Sequence, residues 1–143
     1  MKPALVRDYV ETGKAVIVWH DFPWIGEESR TAAQAARCAG EQNRFWDYHA
    51  RIFASQRGEN RGAFSGENLR GFASDLQLDT GAFGACLERG AALPDIQRDF
   101  TAARAAGLTA TPTFEINGQR VTGALPLSQF VEIIEAALAR RGG

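Results

Sequence analysis

Thr111-Pro112-Thr113-Phe114-Glu115-Ile116-Asn117-Gly118 is the stretch from which the fold can be read. Asn117-Gly118 separates the β-prone run Thr113–Ile116 from a second short run, Gln119–Thr122. A two-residue connection in a hairpin favours a type I′ turn, which needs positive φ at both central residues. Asn-Gly meets that need at the least steric cost. The spacing therefore predicts a β-hairpin. Downstream, residues 126–141 predict a terminal amphipathic helix with Leu127, Phe130, Val131, Ile134 and Leu138 facing inward.

Upstream, Ala15-Val16-Ile17-Val18-Trp19 is a continuous β-branched and aromatic run. Such a run without polar alternation predicts a strand buried on both faces, as in an α/β sheet. Residues 3–10 read as the end of a helix, stopped at Thr12-Gly13-Lys14 with Gly13 in the left-handed position. Between residues 28 and 107 the pattern is helical. An alanine-rich helix carries Ala32, Ala35, Ala36 and Ala39. The next, near residues 44–56, carries Phe45, Trp46, Ile52 and Phe53 as its apolar stripe. A Gly/Asn-rich loop covers 57–65, and Ser65 caps a helix through Leu69, Phe72 and Leu76. Asp79 or Thr80 caps another that holds Phe83, Cys86 and Leu87 and closes at Gly90. Pro94 opens a last helix through Ile96 and Phe100 to Ala106, with Gly107 after its end.

The chain has 143 residues, enough for one domain with a real core and no need of a metal. Apolar residues make up 45% and the net charge is −1, which gives no electrostatic reason to expect nucleic acid or an anionic membrane as partner. No apolar run approaches the roughly 20 residues of a membrane helix, and the first residues lack the apolar core of a signal peptide. Arginine greatly outnumbers lysine, but the arginines are scattered near acids and read as a solvated surface. Cys38 and Cys86 form no C-x-x-C, and with only His20 and His49 there is no zinc-like ligand spacing, so no metal and no cofactor is expected.

The Thr111–Gly118 segment resembles the T-P-T-F-x-x-N-G motif of the DsbA-like thioredoxin family. Three further stretches match in the same order. Tyr9-Val10-Glu11-Thr12-Gly13-Lys14 is similar to the end of the family's active-site helix. His20-Asp21-Phe22-Pro23 is similar to its R-D-F-P strand end. Ala35-Ala36-Arg37-Cys38-Ala39-Gly40-Glu41-Gln42, continuing through Phe45-Trp46-Asp47-Tyr48-His49, is similar to its A-A-x-C-A-x-x-Q-x-x-F-W-x-Y-H helix pair. Ala110 stands where the family often has Gly, and His20 where it often has Arg.

The resemblance implies an α/β, thioredoxin-like fold with an inserted helical subdomain at about 27–107 and a strand–strand–helix half at about 108–141, all in one domain of 1–143. It also implies that a central strand and a C-x-x-C would precede Pro3, so the fold is expected to be N-terminally incomplete. On this reading no catalytic cysteine is present. Thr111 and Pro112 are expected to form a cis-proline substrate-binding loop for extended protein or peptide thiols, and Cys38 and Cys86 a structural disulfide. The intact protein would exchange disulfides outside the cytoplasm, in the periplasm or cell envelope. The chain as written is expected to show no dithiol oxidation and to self-associate through exposed strand edges. The rival readings are a non-catalytic peptide-binding module and a glutathione-dependent kappa-type isomerase. His20 and His49 are read as structural, and Trp19 and Trp46 as packing residues.

Overall fold

The computed structural model describes residues 2–141, which fall into two compact units. One comprises residues 2–19 with 104–141, the other His20–Ala103.

In the first unit the helix α1 (Lys2–Leu5) widens into a π-helical turn over Val6–Val10, closed by the Glu11 amide donating to the Val6 carbonyl at 2.9 Å. Gly13 follows at φ 73°, the left-handed conformation that a side chain would oppose. Strands β1 (Thr113–Ile116) and β2 (Gln119–Thr122) pair antiparallel with Ile116 opposite Gln119. Asn117 at φ 47° and Gly118 at φ 85° supply the two positive angles of the turn. The last helix, named α7 from its place in the chain, runs Leu127–Arg141 and packs on β1 through Phe130, whose ring meets Phe114 edge-on at 4.8 Å. Phe130, Ala137, Val121 and Tyr9 are buried, and the Tyr9 hydroxyl donates to Glu135 at 2.8 Å. Leu127 is exposed rather than inward, because α7 begins at that residue.

Residues 15–19 correct the expectation of a strand buried on both faces. They carry no regular secondary structure and join no sheet, and among the described residues the sheet has only two strands. Val16 and Val18 are 85% and 69% exposed, while Ala15, Ile17 and Trp19 are half-buried. The alternation in exposure has a period of two, as along a strand, although no neighbouring strand pairs with the segment.

The second unit is helical: α2 (Glu27–Gly40), α3 (Phe45–Ala54), α4 (Gly66–Asp75), α5 (Thr80–Arg89) and α6 (Leu93–Ala105, whose last two residues fall in the first unit). Ser65 caps α4 by accepting from the Asn68 amide, and Asp79 caps α5 by accepting from the Ala82 amide. Gly90 ends α5 at φ 61°. The alanines of α2 let its neighbours come close: Ala35 and Ala39 are wholly buried in a core with Tyr48, Leu69, Ala73 and Phe83.

On α3 the inward face differs from the expected stripe. Tyr48 and Ile52 are buried and Phe45 packs beside them, whereas Trp46 is 40% and Phe53 59% exposed. Residues 45, 48 and 52 share one side of a helix; 46, 49 and 53 share the next. Tyr48 belongs inside because its hydroxyl finds a partner there, donating to the Leu69 carbonyl at 2.7 Å.

Burial holds the Tyr48 phenol well above the usual tyrosine range. The folded state therefore keeps this proton at pH values where the unfolded chain releases it. The resulting stability is present below about pH 10 and declines as pH rises further. Tyr48→Phe is expected to cost about 1 kcal/mol near neutral pH, through the lost hydrogen bond. It should also flatten the alkaline arm of a denaturant-midpoint titration. An alkaline arm unchanged in the variant would clear this phenol of that role.

Candidate functional site

The loop entering β1 presents Thr111 and Pro112, joined by a cis peptide bond and both exposed. Its conformation is held from both ends. The Thr113 hydroxyl donates to the Ala110 carbonyl at 2.7 Å, and the Gly123 amide donates to the Pro112 carbonyl at 2.8 Å. Arg120 of β2 reaches back to the Ala106 carbonyl at 2.9 Å, tying the hairpin to the preceding helix end. The result is a pair of exposed residues at the open end of an antiparallel hairpin.

Cys38 of α2 and Cys86 of α5 form a disulfide, with Cα atoms 5.7 Å apart. Each cysteine is only 1% exposed, within the helical core. Thiol–disulfide exchange requires an attacking thiolate to reach a sulfur, so access is the first requirement for redox chemistry here. The two cysteines belong to the helical unit and Thr111-Pro112 to the other.

Of the two histidines, His20 is exposed, with Nδ1 3.5 Å from an Asp99 carboxylate oxygen. His49 lies among aromatic rings, its centroid 4.6 Å from Phe53 and 5.5 Å from Trp46. Trp24 is half-exposed beside Phe22, which stacks on Phe100 at 5.2 Å. Among the described residues no group of His, Cys, Asp and Glu is arranged to hold a metal ion.

One polar cluster has no counterpart in the sequence reading. Arg37 Nε donates to Asp21 at 2.7 Å and its Nη2 to Asp99 at 2.8 Å, and Asp99 also accepts from the Asp21 amide at 3.1 Å. Asp21 is 3% exposed. Asp21 and Arg37 both stand inside quoted motifs, so the motifs carried the residues but not the pairing.

The family model described as Thioredoxin matches residues 1–136. In solved structures the chain is similar to oxidised BdbD from Bacillus subtilis, with a TM-score of 0.86 at 20% identity, covering 96% of this chain and 76% of that one. It is also similar to a thioredoxin-like oxidoreductase from Silicibacter pomeroyi DSS-3, with a TM-score of 0.75 at 26% identity, covering 94% and 76%. Among curated proteins it is 35% identical over 111 residues to a Na(+)/H(+) antiporter NhaA of Herminiimonas arsenicoxydans. It is 32% identical over 124 residues to Na(+)/H(+) antiporter NhaA 1 of Salinispora arenicola (strain CNS-205). Those matches cover 78% and 85% of this chain but only 17% and 18% of the antiporters. No described helix is long and apolar enough to cross a membrane. With the T-P-T-F hairpin, the inserted helices and the family match agreeing, the chain belongs to the thioredoxin family, in its DsbA-like form with a helical subdomain.

Proposed function

We propose that this is a domain of thiol–disulfide exchange that receives extended segments of thiol-bearing proteins at Thr111 and Pro112. Family membership supports the reaction class. The observation that carries the role of the loop is that Thr111 and Pro112 are both exposed at the entrance to β1. An extended peptide can add beside such a loop as a strand does, through main-chain hydrogen bonds.

The Cys38–Cys86 bridge is the structural element of this proposal rather than its redox centre. Both sulfurs lie in the helical core, where an incoming thiolate has no approach. As the sequence has no other cysteine, the domain as written holds a substrate without supplying the sulfur pair that oxidises it. The bridge favours an oxidising, extracytoplasmic setting. The exposed Val16 and Val18 favour pairing with a second copy at high concentration.

The expected result of a dithiol oxidation assay, with a reduced unfolded protein as substrate, is a rate at background. The same reduced substrate should bind, and Thr111→Pro, which removes a main-chain donor, should weaken that binding several-fold. Catalytic turnover would assign redox chemistry to Cys38 or Cys86. Binding unchanged in Thr111→Pro would remove the loop from substrate recognition.

A further inference from the structure

The helical unit holds a cavity of about 380 Å³ on whose wall every charged side chain is a cation. Three arginines line it, Arg51, Arg57 and Arg61, together with Ser55, Asn68 and Phe72. Arg51 comes from the end of α3, Arg57 and Arg61 from the following loop, and Asn68 and Phe72 from α4, so the fold assembles the wall. The volume is in the range of small-molecule sites.

The loop is built before any ligand arrives. Gly58, Asn60 and Gly62 adopt positive φ of 97°, 51° and 83°. The Glu28 carboxylate of α2 accepts from the amides of Gly62 at 2.6 Å and Phe64 at 3.2 Å. Asn68 donates to the carbonyls of Gly62 and Ala63 at 2.9 and 3.3 Å, and Asn60 donates to the Ile25 carbonyl at 3.3 Å. Arg61 folds back over Gly58: a Cβ there would lie 3.1 Å from Arg61 Cδ, so the glycine makes room for the arginine stem.

The arginines differ in what they already hold. Arg51 donates to Asp75 at 2.8 Å and lies 4.8 Å over the Phe72 ring, which fixes it in place. Arg57 and Arg61 enter no ion pair among the described residues. The nearby carboxylates are accounted for. Glu28 is committed to backbone amides and Asp75 to Arg51, and Glu59 is exposed on the loop but does not line the cavity. A guanidinium offers a fork of donors that fits a carboxylate or phosphate edge to edge. A carboxylate has two oxygens in one plane and is satisfied by one fork. A phosphoryl group has more oxygens and a second charge, so it can engage two forks and a neighbouring amide or hydroxyl.

We propose that this cavity binds a phosphoryl group, held by Arg57 and Arg61 and oriented by Arg51 and Ser55. The group can belong to a small soluble molecule or to an anionic lipid headgroup. The site stands apart from the Thr111-Pro112 reading and does not depend on it.

Two measurements test it on the full chain. One is calorimetric titration with pyrophosphate, against sodium chloride at matched ionic strength. The other is flotation with phosphatidylglycerol vesicles, against neutral phosphatidylcholine vesicles. The expected outcome is saturable pyrophosphate binding that weakens at least tenfold in the double variant Arg57→Ala/Arg61→Ala. Its melting temperature should be unchanged, since both side chains are exposed. Vesicle binding lost in the same variant, without pyrophosphate binding, also supports the site and assigns the phosphoryl group to lipid. If the alanine pair perturbs folding, Arg57→Gln/Arg61→Gln keeps the side-chain stems and removes only charge. Pyrophosphate heats equal to those of chloride, with no preference for anionic vesicles, overturn the proposal. So does binding that survives both double variants.

Discussion

Loss of the Cys38–Cys86 bridge is expected to lower the unfolding free energy by about 4 kcal/mol, following the chain-entropy relation for a loop of this length. The two residues are 48 apart in sequence, so the bridge removes a large set of unfolded conformations. It also joins α2 to α5, two helices whose facing sides form the core of the helical unit. The measurement is a denaturant melt of the native protein with and without reductant, alongside Cys38→Ala/Cys86→Ala. The double variant should fall at least as far as the reduced protein, because each alanine leaves space at a site only 1% exposed. A midpoint that moves by less than the equivalent of about 1 kcal/mol would mean that helix packing alone fixes the unit.

Arg37→Ala is expected to cost about 3 kcal/mol. Removing one partner of a buried ion pair strands a charge that water cannot reach, at about 3 to 5 kcal/mol in general. Here two carboxylates lose their cation, and Asp21 is 3% exposed. The lower end applies because the Arg37 side chain is itself 30% exposed, so water screens part of the interaction. Arg37→Lys should recover only part of the loss, since a compact ammonium lacks the planar guanidinium that sets Nε toward Asp21 and Nη2 toward Asp99. Adding Asp21→Asn to Arg37→Ala should restore stability relative to the single variant. If all three variants melt with the native protein, the cluster is a surface arrangement and carries no burial penalty.

The hairpin was legible because its requirement is local: Asn117-Gly118 satisfies two backbone angles whatever surrounds them. The caps at Ser65 and Asp79 were legible for the same reason. The pairing of Cys38 with Cys86 came from family resemblance, since nothing in a spacing of 48 residues selects it. The inward face of α3 was misread because 45-48-52 and 46-49-53 are both aromatic-rich series at helical spacing. The Leu69 carbonyl that rewards Tyr48 lies 21 residues away, and only the folded core brings it near. Residues 15–19 show the converse error. An apolar run states what a segment would bury, but burial requires a neighbour, and Val16 and Val18 face outward. The arginines of the cavity looked like scattered surface charge because their convergence depends on how α3, the loop and α4 pack.

The Asp21–Asp99 contact has one further consequence. An amide at one end of the His20–Ala103 segment is hydrogen-bonded to a carboxylate near the other end, at 3.1 Å. The path of the chain through this unit therefore starts and finishes at one place. Chain ends that lie together are the geometry in which a segment can sit within a host fold without stretching the backbone on either side of it.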